Sequence, residues 1–164
     1  AFFEELNPDF KIKFIEEPKQ LGTAGSLKYL IGKIRKPFLV TNCDIIIRTD
    51  YQDLYNFHRE NDYEITLVAS VKNYIIPYGT CELNSEGHLN QIHEKPEYDF
   101  LVNTGLYVLN PTVLNLIPNG LCHITQLIKD AKNNGKRVGV YPIDDDAWVD
   151  MGQWAEFQKA VERL

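Results

Sequence analysis

The stretch KIKFIEEPKQLGTAGSLKYL, residues 11–30, decides how the fold begins. Its first part, Lys11–Glu16, alternates apolar and charged residues, which is typical of a strand with one buried face. The small residues of LGTAG (21–25) then predict a tight turn, and apolar residues recur at helical spacing from Ala24 to Ile34. The stretch therefore predicts a strand, a turn and a helix, which is the first unit of an α/β fold.

The next segments continue this alternation. PFLVTNCDIII (37–47) is a nearly continuous apolar run, typical of a strand buried on both faces of a parallel sheet. A capping box at 49–52 predicts a helix that begins at Tyr51. EITLVASV (64–71) predicts the following strand. The order β-α-β-α-β predicts a parallel sheet with right-handed crossovers.

The second half of the chain changes pattern. Two short alternating strands flank Asn84–Gly87 in YGTCELNSEGHLNQIHEKP (78–96), which predicts a β-hairpin. The remaining predicted elements are a strand at 100–111, a helix from Ile124 closed by Gly135, the strand RVGVYPI and a final helix that carries Trp154. We therefore predict one α/β domain with a Rossmann-like, mixed and mostly parallel sheet and an inserted β-hairpin.

Composition limits the classes of partner. The chain has 164 residues, 44% of them apolar and 24% charged, as expected of one globular domain with a core. The net charge of −6 argues against nucleic acid or an anionic membrane surface as a partner. No apolar stretch approaches the roughly 20 residues that a membrane span needs. Three widely spaced cysteines indicate reduced, mostly buried thiols and a cytoplasmic protein.

Polar or small residues follow several predicted strands. In open α/β sheets ligands bind beyond the carboxyl ends of the strands. LGTAG, Asn42 with Asp44, Glu94 with Lys95, and Asp150 all fall at such ends. Asp44 or Asp150 alone is equally well explained as a helix cap. Together they are the hard oxygen ligands that Mg²⁺ takes beside substrate phosphates, so we predict a magnesium site.

Glu94 and Lys95 have two interpretations. The structural one is an exposed ion pair. The functional one is that Lys95 holds a phosphate as a point charge while Glu94 accepts hydrogen bonds from sugar hydroxyls. Pro96 restricts the backbone directly after the pair, which favours the functional interpretation. The four histidines show no catalytic or metal-binding spacing.

Six motifs, taken in order, point to a known family. The motifs are LGTAGSL, TNCD, PYG, EKP, VNTGLYVLNP and WVDMGQWAEF. In this order they resemble those of the sugar-1-phosphate nucleotidyltransferases, and most of all the mannose-1-phosphate guanylyltransferase-like branch. The resemblance covers residues 12–164. It implies transfer of a nucleoside monophosphate from an NTP to a sugar 1-phosphate, which gives an NDP-sugar and pyrophosphate.

The resemblance also implies roles for individual residues. It implies nucleotide contacts at the turn and at TNCD, sugar contacts at PYG, EKP and VNTG, and Mg²⁺ at two carboxylates. The implied nucleotide-binding residues are Leu21, Gly22, Thr23, Ala24 and Asn42; the sugar-binding residues are Gly79, Glu94 and Asn103; the catalytic residues are Asp44, Lys95 and Asp150, of which Asp44 and Asp150 bind the metal.

One departure from the family pattern shapes these expectations. The family opens with a Gly-rich loop around the triphosphate, and no such loop occurs in residues 1–164. We therefore expect 1–164 to be the C-terminal part of a single, N-terminally truncated nucleotidyltransferase domain, inactive alone. The alternative is a non-catalytic sugar-nucleotide-binding or regulatory subunit of the same fold. A glycosyltransferase fits less well, because the motifs WVDMG and EKP have no place in that family. The sequence also allows a homo-oligomer.

Overall fold

The computed structural model describes residues 9–152. Its strands are β1 (Phe38–Thr41), β2 (Ile45–Ile47), β3 (Ile65–Ile75), β4 (Thr80–Leu83), β5 (Leu89–His93), β6 (Glu97–Leu109), β7 (Val138–Ile143) and β8 (Trp148–Asp150). Its α-helices are α1 (Gly22–Gly25), α2 (Tyr51–Glu60) and α3 (Ile124–Asn133), with 3₁₀ turns at Ser26–Leu30, Pro111–Leu116 and Asp145–Ala147. The helix predicted around Trp154 lies outside the described residues. No helix within 9–152 is long and apolar enough to cross a membrane.

The main sheet is mixed, as predicted. Its strand order is β1-β6-β3-β7, with β6 antiparallel to both neighbours and β3 parallel to β7. Within the described residues one of its three pairings is parallel, so the expected majority of parallel pairs is not seen there. The reason is that the chain reverses direction between β3 and β6, through the inserted hairpin. β6 then lies between β1 and β3 and runs antiparallel to both.

Both faces of this sheet are covered. On one face α3 and the 3₁₀ turn Pro111–Leu116 pack over Ile65, Tyr107 and Leu109. On the other face α2 and the short β2–β8 ribbon pack over Val68 and Val108, with Leu54 of α2 fully buried. The alternation of neighbouring residues between the two faces explains why 67–69 of β3 and 106–109 of β6 are apolar at consecutive positions.

The hairpin is formed as predicted. β4 and β5 pair in antiparallel fashion around the turn at 84–88. The Asn84 Oδ1 accepts hydrogen bonds from the backbone N–H groups of Glu86 at 3.0 Å and His88 at 2.9 Å. Gly87 has a φ of +84°, a conformation that glycine adopts without steric cost. The turn is therefore specified by residues inside it.

The helices at 51 and 124 are also confirmed. In α2 the cap is Asp50 rather than the expected Thr49, since Asp50 Oδ1 accepts from the N–H groups of Gln52 and Asp53. α3 ends before Gly135, which has a φ of +71°. The start of α2 and the end of α3 are therefore set by local signals that the sequence shows.

The beginning of the chain differs from expectation. Lys11–Glu16 forms no strand, and the helix predicted to reach Ile34 ends as a 3₁₀ turn at Leu30. A strand exists only through hydrogen bonds to a neighbour, and within 9–152 no strand lies beside 11–16. Gly32, with a φ of +75°, stops the helix earlier than the apolar spacing suggests.

The apolar run 37–47 is split in two. β1 and β2 are separated at Asn42–Asp44, and β1 alternates between half-buried and exposed residues rather than being buried on both faces. Its partner β6 is antiparallel, and the side of β1 away from β6 has no pairing strand within the described residues. The split occurs because the chain leaves β6 after Thr41 and pairs with β8 instead.

The cysteines are not mostly buried. Cys122 lies in the core, whereas Cys43 and Cys81 are exposed. Cys43 belongs to the connection between β1 and β2, and Cys81 belongs to the hairpin, so neither position is covered by a sheet face. All three are free thiols, as expected.

Candidate functional site

The β2–β8 ribbon brings two distant carboxylates together. β2 and β8 are antiparallel, and Ile45 lies opposite Asp150 in their register. One residue before this pair, the Asp44 carbonyl accepts a hydrogen bond from the N–H of Met151 at 2.8 Å. Asp44 and Asp150 therefore lie at the same end of the ribbon, although they are far apart in sequence.

Gly152 shows how close the two side chains are. A β-carbon added at Gly152 would lie 3.0 Å from Asp44 Oδ2 and 3.1 Å from Asp150 Oδ1. Both oxygens therefore lie beside the space that a side chain at residue 152 would occupy. The Gly152 N–H also donates to Asp150 Oδ1 at 2.9 Å, which orients that carboxylate. Gly152 was given no role from the sequence, although a glycine two residues after a predicted ligand signals close approach.

This donor set fits Mg²⁺. Two carboxylate oxygens around one volume match an ion that takes one or two protein carboxylates and completes its shell with water and substrate phosphates. Within residues 9–152 no group of three or more His, Cys, Asp or Glu side chains could hold a metal ion. Within residues 9–152 the two carboxylates therefore suit a metal ion shared with substrate phosphates better than an ion held by protein ligands alone.

PYG and EKP meet at the base of the hairpin. A β-carbon on Gly79 would lie 3.0 Å from Glu94 Oε2, so two predicted sugar-binding residues are in contact. Lys95 is exposed and has a φ of +47°, in the left-handed region that non-glycine residues rarely adopt. Within 9–152 the Lys95 side chain makes no hydrogen bond or ion pair. Strained backbone of this kind concentrates at functional sites.

TNCD and VNTG are in contact through Gly105. The Asn42 N–H donates to the Gly105 carbonyl at 3.0 Å, and the Asn42 side chain fills the space where a β-carbon of Gly105 would lie. Asn103 accepts from the Gly105 N–H at 3.3 Å and donates to the Tyr107 hydroxyl at 2.7 Å. The Asn103 amide keeps one donor and one lone pair for a ligand.

The LGTAG turn packs against the loop before α3. Leu21 and Ala24 are buried, and a β-carbon on Gly22 would lie 2.6 Å from the Cys122 carbonyl oxygen. The Cys122 carbonyl accepts from the Ala24 N–H, and the Cys122 N–H donates to the Leu21 carbonyl. The small residues of the turn therefore allow backbone to approach backbone within the protein.

Thr23 contacts the start of a helix that is distant in sequence. Thr23 Oγ1 accepts a hydrogen bond at 2.9 Å from the N–H of Ile124, the first residue of α3. Thr23 itself is exposed and Gly22 is half-buried, so this edge of the turn is open to solvent.

A shallow pocket of about 300 Å³ adjoins this turn. Its walls include Leu21, Tyr29 and Gly120. The Lys28 ammonium donates to the Asn119 side chain at 2.6 Å and to the Ile117 carbonyl at 3.2 Å, which joins the two walls. The predicted nucleotide-binding turn thus lies on a concave surface.

The motifs at these contacts are those of one family. A model of the family described as "Nucleotidyl transferase" matches residues 3–164, nearly the whole chain. The chain belongs to the nucleotidyl transferase family. Motifs that are distant in sequence contact one another in the fold: TNCD contacts both WVDMG and VNTG, and PYG contacts EKP.

Individual relatives and solved structures agree with this assignment. The chain is 32% identical over 155 residues to the mannose-1-phosphate guanyltransferase of Aspergillus oryzae and 33% identical over 157 residues to that of Schizosaccharomyces pombe. These matches cover 90% and 91% of the chain but 42% and 43% of the relatives. The chain thus spans less than half the length of the curated relatives that it matches.

The fold is shared with solved structures. HddC from Yersinia pseudotuberculosis superposes with a TM-score of 0.70 at 21% identity, covering 99% of this chain and 71% of that one. HddC complexed with GMP-PN superposes with a TM-score of 0.64 at 21% identity, covering 98% and 70%. At this level of identity the likeness confirms the α/β fold with its mixed sheet.

Proposed function

We propose that the intact protein transfers a nucleoside monophosphate from an NTP to a sugar 1-phosphate, giving an NDP-sugar and pyrophosphate. The observation that carries this proposal is the convergence of Asp44 and Asp150 on the volume left open by Gly152. In a chain of this family such a pair suits a metal ion shared with substrate phosphates. The names of the curated relatives make a guanine nucleotide and mannose 1-phosphate the first substrates to test.

In the proposed site, Asp44 and Asp150 bind Mg²⁺. When bound there, the ion would supply positive charge for the substrate phosphates. Gly152 keeps the volume free and orients Asp150 through its N–H. Phosphoryl transfer depends mostly on positioning and charge stabilisation, so the chain needs no covalent nucleophile.

The sugar 1-phosphate is proposed to bind at the base of the hairpin. Lys95 supplies a positive charge for the phosphate, since its ammonium has no competing partner within 9–152. Glu94, held beside Gly79, accepts hydrogen bonds from sugar hydroxyls. Asn103 adds the donor and the lone pair that its internal bonds leave available.

The nucleotide is proposed to bind along the open edge of the LGTAG turn. Leu21 and Ala24 form its buried support, and Gly22, Thr23 and Asn42 present main-chain and amide groups to the base and ribose. We further propose that the protein is cytoplasmic, which its three free thiols support.

The full-length parent protein tests this function. Pyrophosphate release is measured with GTP and mannose 1-phosphate, and then with other NTP and sugar 1-phosphate pairs. Asp44→Ala should abolish Mg²⁺-dependent turnover because it removes half of the metal-binding carboxylate pair. Gly152→Ala should lower turnover on the order of tenfold or more, since its methyl group would occupy the metal volume.

Glu60→Ala is the matched control, because Glu60 is an exposed carboxylate on α2 and lies outside the proposed site. Equal turnover in the Asp44→Ala and Glu60→Ala variants would contradict the metal assignment. A wild-type protein that binds sugar nucleotides but releases no pyrophosphate with any pair would instead favour the non-catalytic binding subunit.

A further inference from the structure

Tyr107 places a hydroxyl group inside an apolar core. The side chain is 2% exposed and packs among aliphatic residues next to α3. Burial raises the pKa of this hydroxyl, so it keeps its proton. A phenylalanine would fill nearly the same volume, and a buried hydroxyl is costly unless it has a partner. The hydroxyl accepts a 2.7 Å hydrogen bond from Asn103 Nδ2, which fixes the Asn103 side chain.

Asn103 in turn holds an irregular stretch of β6. Asn103 lies opposite Ala69 and Tyr107 opposite Leu67, so the longer stretch 103–107 of β6 faces 67–69 of β3. Within this stretch Gly105 has a φ of +91°, and its N–H donates to Asn103 Oδ1 at 3.3 Å. Such a bulge bends a strand and redirects its groups toward a neighbour.

The neighbour toward which Gly105 is directed is Asn42. The Gly105 carbonyl accepts the Asn42 N–H at 3.0 Å, and Asn42 Nδ2 lies 2.7 Å from the position that a Gly105 β-carbon would take. Asn42 is the point at which the chain leaves β1, and Asp44 follows two residues later. The position of Asp44 is therefore fixed from two sides, by this exit and by the hydrogen bond that its carbonyl accepts from the Met151 N–H.

We propose that Tyr107 is a positioning residue for Asp44, acting through Asn103, Gly105 and Asn42. This inference rests on the proposed function, in which Asp44 binds the metal ion. The hydroxyl contacts neither substrate nor metal in this arrangement. It holds Asn103 in the orientation that supports the bulge, and the bulge holds the exit of β1.

The test measures the affinity of the full-length protein for Mn²⁺, using the electron paramagnetic resonance signal of the free ion. Thermal unfolding of the same variants is measured in parallel. Tyr107→Phe should weaken Mn²⁺ binding on the order of tenfold, as the loss of an indirect support of a metal ligand does. Tyr141→Phe is the control, because Tyr141 is half-buried against Phe57 and its hydroxyl makes no hydrogen bond within 9–152. It should bind Mn²⁺ as the wild type does.

Two further variants separate positioning from a general loss of stability. Asn42→Ala should weaken binding to a similar extent, and Tyr107→Phe combined with Asn42→Ala should add little, since both act on the same exit. Asn103→Ser serves in place of Tyr107→Phe if the latter fails to fold. A Tyr107→Phe protein that melts earlier but binds Mn²⁺ normally would overturn the positioning role and leave the metal site intact. A wild type that binds no Mn²⁺ would overturn the metal site and this inference together.

Discussion

At the scale of single residues, Lys95 combines a positive charge with an unfavourable backbone conformation. In the left-handed region a non-glycine residue costs on the order of 1–2 kcal/mol, so a glycine there would be more stable. We predict that Lys95→Gly leaves the unfolding temperature unchanged or raises it, yet weakens use of the sugar 1-phosphate roughly ten- to a hundredfold. The loss corresponds to a charged hydrogen bond of about 1.5–3 kcal/mol.

This prediction is measured as kcat/KM for the sugar 1-phosphate and as nucleotide affinity in the full-length protein. The control is Lys129→Ala, which removes an exposed lysine outside the proposed site. Alanine is used there because Lys129 lies within α3, where glycine would destabilise the helix. If Lys95→Gly lowered nucleotide affinity but left kcat/KM for the sugar 1-phosphate unchanged, Lys95 would contact the nucleotide instead.

Residues of the site differ in how far the sequence could identify them. Asp44 and Asp150 could be proposed because carboxylates at strand ends suit a metal, and the structure places them together. The contact between Gly105 and Asn42, and the support that Tyr107 gives it through Asn103, could not be predicted. Both involve a bulge in β6. Gly105 inside the strand pattern could suggest a bulge, but its contact with Asn42 depends on how both strands pair.

At the scale of elements, α3 depends on a residue from the opposite half of the chain. Thr23 Oγ1 accepts from the N–H of Ile124, and α3 has no cap of its own from His123. We predict that Thr23→Ala lowers the free energy of unfolding by about 1 kcal/mol, the usual cost of a lost cap. Thr23→Ser keeps the hydroxyl and should unfold close to the wild type in urea; equal destabilisation of both variants would argue against capping.

Helix α2 carries a buried histidine that makes stability depend on pH. His58 is 1% exposed, its Nδ1 lies 2.9 Å from Thr66 Oγ1, and burial lowers its pKa despite opposing contributions from Asn110 and Glu64. The unfolded chain, with a histidine pKa near 6.5, therefore binds this proton more readily than the folded protein. Stability should be complete above about pH 7 and should fall as the pH drops below about 6.5.

Denaturant unfolding between pH 5 and pH 8 measures this dependence. The contribution of His58 has a slope of at most about 1.4 kcal/mol per pH unit. The double variant His58→Leu, Thr66→Val removes both polar partners together and should have a flatter profile in this range. An identical profile for the wild type and the double variant would assign the dependence to other groups.

Elements specified by neighbouring residues are the ones that the sequence predicts. The hairpin turn is fixed by Asn84 and Gly87, and α2 is fixed by its cap at Asp50. The strand predicted at 11–16 has the right alternation but no neighbouring strand within 9–152. The second function of Thr23 could not be predicted, since its partner is 101 residues away.

At the scale of the whole molecule, the hairpin presents an uncovered apolar surface. Leu83 and Leu89 lie opposite each other, and with Ile92 they are each more than 60% exposed. Exposed apolar strands tend to pair with other chains. We predict that residues 1–164, expressed alone, self-associate, and that Leu89→Lys with Ile92→Lys reduces this association. Sedimentation velocity measures both; a monomeric wild type would contradict the prediction.

The β2–β8 ribbon has one more consequence. Asp44 and Asp150 are roughly a hundred residues apart in sequence, and an ion shared between them would close that whole length of chain into a loop. Because the unfolded chain does not hold the two carboxylates together, the ion binds the folded state, and at 100 times its dissociation constant it stabilises that state by about 2.7 kcal/mol. In the proposed metal-bound state, the ion that serves the reaction would therefore also be a reversible cross-link, and a chelator would loosen the fold as well as stop turnover.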